Sequence, residues 1–291
     1  MSTGYFVNVL DLFSGIGGFS LGLERAGFRT VGFCEIDPYC RRVLAERWPS
    51  VPIWEDVKDL SAQHIAARGL SVDVICGGFP CQDVSVAGKG AGLEGKRSGL
   101  WSEYARLIGE LRPSYVIVEN VAALLNRGLD RVLGDLAEIG YDAEWHCIPA
   151  SAIGAPHRRD RIWIVAHPAG VLGNGGNDNG RGDSKGAAAF SEPRDRGGNE
   201  DLADANRHDV QGVFAGFIDQ EIGRRSLGGS AGSCGNGIGW WSSEPNVGRV
   251  AHGISSRMDR LRGLGNAVVP QIPEIIGRAI MSTKRERSAQ F

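Results

Sequence analysis

Residues 7–18 read VNVLDLFSGIGG, an apolar run that passes directly into a glycine-rich turn, and this stretch decides the fold. The run of β-branched and other apolar residues predicts a strand at 7–13, and the amphipathic stretch after the turn predicts a helix at 19–26. Glycines let a backbone approach a ligand closely, and the first turn of a helix presents free N–H donors. We therefore expect this unit to bind a ligand at its turn.

The same alternation of strand and helix continues to about residue 166. Further strands are predicted at 30–36, 72–79, 115–119 and 162–166, and further helices at 38–48, 100–111 and 129–139. This pattern is typical of an α/β fold in which helices cover both faces of a doubly wound, mostly parallel sheet. Such a sheet binds its ligands at the carboxyl ends of the strands.

The composition changes near residue 167, where the chain becomes rich in Gly, Asn, Asp and Ser and loses its periodicity. Regular character returns at residue 255 and predicts a final helix at 272–281. We therefore expect a main domain at 1–166, a small loop-rich domain at 167–254 and a C-terminal segment, 255–291, that returns to the main domain.

Composition narrows the class of protein. The chain has 291 residues, 42% of them hydrophobic, and a formal net charge of -2, so nucleic acid could be bound only through local basic patches. No apolar run reaches the roughly 20 residues of a membrane span, and no secretory signal is visible at the N-terminus, so we expect a cytoplasmic protein. The six cysteines are scattered, which predicts reduced thiols and no metal site.

A carboxylate follows the glycine-rich turn at the spacing of a nucleotide site. Glu35 stands at the end of the next predicted strand, about 20 residues after the turn, where it could accept hydrogen bonds from ribose hydroxyls. These two features alone fit an NAD-dependent enzyme nearly as well, although Ser20 stands where the dinucleotide fingerprint has its third glycine. A turn that serves packing alone is a further alternative.

Two further strand ends carry reactive side chains. Residues 77–82 read GGFPCQ and place Cys81 just past the strand at 72–79, so that its thiol would lie at the ligand edge of the sheet. Glu119 ends the strand at 115–119. Taken singly, a core cysteine and a solvated carboxylate are the alternative interpretations.

Together these segments resemble the DNA (cytosine-5) methyltransferase family, of the prokaryotic or phage type. The motifs that carry the resemblance, in order, are DLFSGIGG (11–18), EI (35–36), WEDV (54–57), GFPCQ (78–82), ENV (119–121), HRRDR (157–161) and GNAVVP (265–270). His157 stands where the family usually has Gln. The resemblance implies a Rossmann-like, S-adenosylmethionine-dependent methyltransferase domain at 1–166 and a target-recognition domain at 167–254.

The resemblance also assigns site residues. Those for S-adenosylmethionine are Phe13, Gly15, Gly17, Glu35, Ile36, Asp56, Pro80, Asn266 and Val268. The catalytic residues would be Cys81 as nucleophile, Glu119 as the acid at the pyrimidine N3, and Arg159 and Arg161 at the pyrimidine O2. A carboxyl that must be protonated requires a raised pKa, which a dry pocket supplies.

The implied partner is double-stranded DNA, bound by a monomer. Chemistry at C5 of cytosine cannot occur inside a stacked duplex, so the base must be flipped out. The loop at 82–99 is interpreted as a lid over the DNA. The expected DNA contacts are Gln82, Ser85, Lys89, Arg97, Arg257 and Arg260.

Three other functions stay open at this point. An RNA cytosine-5 methyltransferase would share most of the motifs and differ in its substrate. An NAD-dependent oxidoreductase would leave Cys81, Glu119 and Arg159 unexplained. A binding protein without catalysis is disfavoured because both Cys81 and Glu119 are present.

Overall fold

The structure is a computed structural model that describes residues 6–80, 99–155, 157–170, 216–218, 220–223 and 257–288. Within these ranges no helix is both long and apolar enough to cross a lipid bilayer. The strands are β1 Val7–Leu12, β2 Phe28–Cys34, β3 Ile53–Trp54, β4 Val74–Gly77, β5 Tyr115–Val121, β6 Tyr141–Pro149 and β7 Asp160–Pro168. The helices are α1 Gly18–Arg25, α2 Pro38–Arg47, α3 Ala62–Ala66, α4 Leu100–Leu111, α5 Leu129–Ile139, α6 Arg257–Asn266 and α7 Gln271–Ser288.

All seven strands form one sheet in the order β3-β2-β1-β4-β5-β7-β6. The pairs from β3 to β5 are parallel, whereas β7 runs antiparallel to both of its neighbours. The chain moves outward from β1 in both directions, first to β2 and β3 and then to β4 and β5. The predicted α/β fold with a doubly wound, mostly parallel sheet is confirmed, and its switch point lies between β1 and β4.

The helix ends follow from local sequence. The side chain of Asp37 accepts hydrogen bonds from the backbone N–H groups of Tyr39 and Cys40, and Pro38 occupies the first turn, so α2 begins there. At the other end of a helix, Gly140 adopts a φ of 88° and stops α5 in the left-handed conformation that glycine accepts without strain.

The sheet separates two apolar layers. One face packs against α3, α4 and α5 and buries Leu10, Ile75 and Val118 of the strands. The opposite face packs against α1 and α7, where Ile276 is fully buried. Burial of large apolar side chains on both faces explains why the central strands read as nearly continuous apolar runs.

Part of the predicted second domain packs on this second face. Residues 216–218 and 220–223 are helical, and within them Ile218 is only 2% exposed while Phe217 and Ile222 contact the apolar layer under α1 and α7. This stretch therefore adds to the core of the sheet. The predicted boundaries of the three domains themselves stay predictions.

Several elements differ from the predicted ones. The predicted strand at 72–79 is shorter, Val74–Gly77, because the chain leaves the sheet at Gly78 to reach the ligand edge. The strands β3 and β6 and the helices α3 and α6 were not predicted, and the final helix is longer than 272–281.

Candidate active site

A cavity of about 590 Å³ lies at the carboxyl ends of the parallel strands. Its volume falls within the range of roughly 300–1,000 Å³ that is typical of cofactor sites. The described residues that line it are Phe13, Gly15, Cys34, Glu35, Ile36, Asp37, Cys40, Glu55, Asp56, Val57, Lys58, Gly78, Phe79, Pro80, Leu100, Glu119, Asn120, Val121, Arg159, Arg161, Gly263 and Asn266.

The glycine-rich turn forms one wall of this cavity. Phe13, Gly15 and Gly17 have φ values of 51°, 54° and 84°, so the turn passes repeatedly through the left-handed region. The turn is tied to β2 by a hydrogen bond of 3.2 Å from the Ser14 N–H to the carbonyl of Cys34. A Cβ on Gly15 would meet no atom within 4 Å, so the cavity is open at this point of the turn.

Glu35 connects the turn to the end of β2. Its Oε2 accepts a hydrogen bond of 2.6 Å from the Gly15 N–H, and its Oε1 accepts one of 2.7 Å from the Asp37 N–H. The side chain of Ile36 beside it is 68% exposed and offers an apolar surface to the cavity. This wall therefore combines a fixed carboxylate with an apolar contact.

Asp56 extends the acidic wall on the neighbouring strand end. Its Oδ1 accepts a hydrogen bond of 3.0 Å from the Lys58 N–H, which fixes the turn after β3. Burial, together with the nearby carboxylates of Asp56 and Glu35, raises the pKa of the Cys34 thiol to about 12. Burial and Glu35 likewise raise the pKa of Cys40 to about 11, so both of these thiols are protonated and poor nucleophiles at neutral pH.

On the opposite wall of the cavity, Glu119 is a largely buried carboxyl group that contacts an arginine. Its Oε1 lies 2.9 Å from Nε of Arg161, and only 13% of its side chain is exposed. Burial raises the pKa of the Glu119 carboxyl, although the positive charges of Arg161 and Arg159 oppose the shift. The group can therefore hold a proton more readily than an ordinary glutamate.

Arg159 holds the C-terminal segment against the cavity. Its backbone has a φ of 41°, which is uncommon outside glycine, and its guanidinium donates hydrogen bonds of 2.7 Å and 2.9 Å to the carbonyls of Gly265 and Ala267. These carbonyls lie more than 100 positions away in the sequence. Nothing in the local sequence of Arg159 indicated these partners.

Asn120 holds the backbone that leads toward Cys81. Its Nδ2 donates a hydrogen bond of 3.2 Å to the carbonyl of Phe79, and its Oδ1 accepts one of 2.8 Å from the N–H of Val121. Pro80 lines the cavity and is the last described residue before Cys81. We did not predict a role for Asn120, although its position between Glu119 and a strand end was a usable signal.

The structure brings most of the predicted cofactor and catalytic residues together. Those that line the cavity are Phe13, Gly15, Glu35, Ile36, Asp56, Pro80, Glu119, Arg159, Arg161 and Asn266. Two further predicted residues, both in the described part of the chain, do not contribute to this lining. A Cβ on Gly17 would lie 2.5 Å from the Trp48 ring, and the backbone of Val268 packs against Gly18, so both positions serve close packing around α1.

The remaining predictions fall where the structure gives no side chain. Cys81, Gln82, Ser85, Lys89 and Arg97 lie outside the described residues. Arg257 and Arg260 belong to α6, but their side chains are outside what is described. Across the described ranges, no group of three His, Cys, Asp or Glu residues is arranged to hold a metal ion.

Comparison with known proteins gives concordant matches. The family model described as C-5 cytosine-specific DNA methylase matches residues 7–190. The Type II methyltransferase M2.BsuMI of Bacillus subtilis (strain 168) is 38% identical over 168 residues, which cover 55% of this chain and 42% of that protein. The Type II methyltransferase M.Eco47II of Escherichia coli is 38% identical over 164 residues, covering 54% of this chain and 39% of that protein.

The match thus spans less than half of the length of these two relatives. Among solved structures, the methyltransferase EhMeth of Entamoeba histolytica superposes with a TM-score of 0.50 at 18% identity, over 58% of this chain and 55% of that one. At this level of identity the likeness concerns the fold alone.

Proposed function

The chain belongs to the C-5 cytosine-specific DNA methylase family, and from this membership we propose that it methylates C5 of a flipped-out cytosine in a specific sequence of duplex DNA. The observation that carries the proposal is the pairing of Glu119 with Arg161 on one wall of a cavity whose other wall holds the glycine-rich turn and Glu35. One cavity can therefore receive a nucleoside cofactor and a pyrimidine base side by side.

The residues of the turn fit the adenosyl part of S-adenosylmethionine. The cavity is open beside Gly15, carboxylates of Glu35 and Asp56 can accept hydrogen bonds from ribose hydroxyls and the adenine amino group, and Phe13 and Ile36 offer apolar contacts. These residues would hold S-adenosylmethionine, which when bound supplies an electrophilic methyl group for C5. Asn266 and Pro80 complete the proposed set.

Cys81 is the proposed nucleophile, because C5 of cytosine is too weak a nucleophile to react unaided. The thiolate adds to C6, the C5–C6 electron pair becomes available at C5, and Glu119 donates its proton to N3. Transfer of the methyl group to C5 would leave S-adenosylhomocysteine. The C5 proton then passes to water, the C5–C6 double bond re-forms and expels Cys81 as thiolate, and N3 returns its proton to Glu119. The raised pKa of Glu119 supports this role, since the acid must be protonated before the addition.

The two arginines receive different roles. Arg161, whose guanidinium already contacts Glu119, is assigned to the pyrimidine O2. Arg159 has two N–H donors directed to backbone carbonyls, so we assign it to supplying positive potential near Glu119 and the Cys81 thiolate. Both would favour the negative charge that develops in the addition step.

The DNA contacts remain proposals from sequence. Access to the base requires flipping, at a cost of about a few kcal/mol. The loop at 82–99, with Gln82, Ser85, Lys89 and Arg97, would close on the DNA, while Arg257 and Arg260 would contact phosphates. Sequence recognition is assigned to 167–254.

The proposal is tested with a mechanism-based trap. Sequencing of plasmid DNA from cells that express the protein, by a method that maps 5-methylcytosine, first gives the target site. A duplex with 5-fluorocytosine at that site is then incubated with the protein and S-adenosylmethionine. Because fluorine cannot leave as a cation, the Cys81 adduct should persist under denaturing electrophoresis.

The matched variants assign the roles. Cys81→Ser should abolish the adduct, and Glu119→Gln should slow its formation about 100-fold, the usual loss for a general acid, with unchanged cofactor affinity. Cys147→Ser is the control and should react as the unmodified protein does. An adduct that forms equally in Cys81→Ser would refute the mechanism, and the absence of methylation at cytosine would refute the function.

A further inference from the structure

Arg41 stands outside the cavity, on α2, yet its guanidinium contacts both acidic strand ends that form the cavity wall. Its Nη1 donates hydrogen bonds of 3.2 Å to the carbonyl of Glu35 and 2.7 Å to the carbonyl of Ile36. Its Nη2 lies 3.2 Å from Oε1 of Glu55. The side chain is 22% exposed, so this arginine is held along the protein surface and does not extend into solvent.

The two carbonyls belong to Glu35 and Ile36, which the proposed function places against the adenosyl part of the cofactor. The Glu35 carboxylate is already fixed from the other side by the N–H groups of Gly15 and Asp37. Ile36 has no comparable restraint on its side chain, which is 68% exposed. Its direction is therefore set by the backbone, and Arg41 binds the two peptide carbonyls on either side of the Ile36 Cα, those of Glu35 and Ile36.

The contact with Glu55 joins the second strand end to the first. Glu55 directly precedes Asp56, and both line the cavity. The Glu55 side chain is 73% exposed, so the ion pair itself contributes little stability. Its effect is geometric, because the planar guanidinium has donors that point in fixed directions and can link a carboxylate to backbone carbonyls.

We propose that Arg41 is a positioning residue for the cofactor, which sets the spacing between the wall at 35–36 and the wall at 55–56. The inference rests on the proposed function, since it takes S-adenosylmethionine as the ligand between these walls. Arg41 does not line the cavity and would touch neither the cofactor nor the base. Its loss should weaken cofactor binding and leave the chemical step unchanged at saturating cofactor.

A purely electrostatic effect of Arg41 would have the opposite sign for a cationic ligand. The wall holds the carboxylates of Glu35, Glu55 and Asp56, and removing a nearby cation would make it more negative. That change would favour S-adenosylmethionine, whose sulfonium is positive, over S-adenosylhomocysteine, whose sulfide is neutral. A positioning effect acts through the adenosyl part, which both ligands share. Loss of Arg41 should then weaken the binding of both ligands by the same factor.

The experiment is calorimetric titration of the full chain with each of the two ligands. Arg41→Gln should raise both dissociation constants about tenfold, the usual scale for losing a well-placed charged hydrogen-bonding group. The ratio of the two constants should not change. The kcat measured at saturating cofactor on target DNA should stay within about twofold of the unmodified protein. Arg42→Gln is the matched control, because Arg42 lies on the same helix and stacks on Tyr39, and it should change neither constant.

Two further variants separate charge from geometry and guard against misfolding. Arg41→Lys keeps the charge but lacks the planar fork, and it should recover only part of the affinity. Glu55→Gln leaves the contacts of Arg41 with the two carbonyls in place. It should raise both dissociation constants by about two- to threefold, in line with the loss of an exposed ion pair. If Arg41→Gln fails to fold, the dissociation constants of Arg41→Lys and Glu55→Gln test the proposal instead. Constants equal to those of the unmodified protein in both variants would overturn it.

Other outcomes are equally informative. Tighter binding of S-adenosylmethionine alone in Arg41→Gln, or full recovery in Arg41→Lys, would show that charge is what matters and would overturn the positioning role. If the unmodified protein binds neither ligand, the proposed function itself fails. Binding by the unmodified protein with no change in Arg41→Gln would sink the inference and leave the function intact.

Discussion

Two neighbouring glycines at the end of β4 meet different constraints. A Cβ on Gly77 would lie 2.2 Å from the backbone carbonyl oxygen of Leu12 on the adjacent strand, which cannot move without breaking the sheet. A Cβ on Gly78 would lie 2.7 Å from Oε2 of Glu119, the far end of a side chain. The first glycine is thus required by the fold and the second by the position of a carboxylate.

We expect Gly78→Ala to fold but to lose activity. The new methyl group would displace the Glu119 carboxylate and disturb its contact with Arg161, so kcat should fall by about 10- to 100-fold, as when a general acid is misplaced. Gly77→Ala should instead lower the free energy of unfolding by about 1–3 kcal/mol, the usual cost of overpacking. Steady-state kinetics and urea unfolding measure the two effects, and equal loss of stability in both variants would contradict this division.

At the residue scale, the sequence was sufficient to predict the functional side chains at strand ends. It was not sufficient to predict hydrogen bonds between residues that are far apart in the chain. Glu35 and Glu119 were predictable because the carboxyl ends of parallel strands meet at one edge. The bonds from Arg159 to Gly265 and Ala267 join distant segments, and no local pattern marks such partners. The contacts of Arg41 were missed because an arginine on an amphipathic helix is ordinarily a solvated surface charge.

At the element scale, α1 and α7 approach each other closely because their contact contains glycines. A Cβ on Gly22 would lie 2.2 Å from the carbonyl oxygen of Pro270, and the Cβ of an alanine at 277 would lie 2.8 Å from the Cβ of Ala26. The close contact lets α7 bury Ile276 against the sheet. It thereby holds the segment that begins at Asn266 beside the cavity.

We expect Gly277→Ala to reduce the free energy of unfolding by about 1–3 kcal/mol, since the added methyl group forces the two helices apart. Gly134→Ala on α5 is the control. A Cβ there would meet nothing within 4 Å, so the substitution should stabilise the protein by about 0.5–1 kcal/mol through helix propensity. Urea unfolding measures both, and a stabilising Gly277→Ala would contradict the close packing.

The elements that sequence predicted best are those with a strong amphipathic or apolar pattern. The helices α4 and α5 have the predicted bounds, because each has a buried stripe and stops at a residue in the left-handed conformation, Arg112 and Gly140 respectively. The strand β6 escaped prediction because most of its side chains are only partly buried and polar residues such as Asp142 and Glu144 interrupt its pattern. It forms the edge of the sheet and is held mainly by its ladder with β7, which a local pattern does not reveal.

At the scale of the whole molecule, a buried acid couples stability to pH. Asp11 is fully buried on β1, and its Oδ2 accepts a hydrogen bond of 2.7 Å from the Ser20 hydroxyl. Burial, helped by the charge of Glu35 and opposed by the bonds from Ser20, raises the pKa of Asp11 from 3.8 to about 8. Between about pH 4 and pH 8 the Asp11 carboxyl is therefore protonated in the folded protein and ionised in the unfolded chain.

Because folding requires the uptake of this proton, we expect the free energy of unfolding to fall as pH rises from about 4 to about 8. The slope from this group is up to about 1.4 kcal/mol per pH unit. The sign follows from linkage, because a group with a raised folded-state pKa stabilises the fold only while it stays protonated. Asp11→Asn removes the titration and should flatten the dependence measured by urea unfolding at several pH values. Glu138→Gln, at an exposed position of α5, should leave the slope unchanged, and an equal slope in Asp11→Asn would exclude Asp11 as its source.

The bonds from Arg159 to Gly265 and Ala267 also have a consequence for the order of translation. The cavity wall that includes Gly263 and Asn266 is encoded after the segment 169–262, long after the strands that form the other walls. At the usual rate of translation, a ribosome needs about ten seconds to synthesise the segment between β7 and that wall. A nascent chain that has completed β7 therefore lacks this wall of the cavity, and the ligand site is completed only after Asn266 has been synthesised.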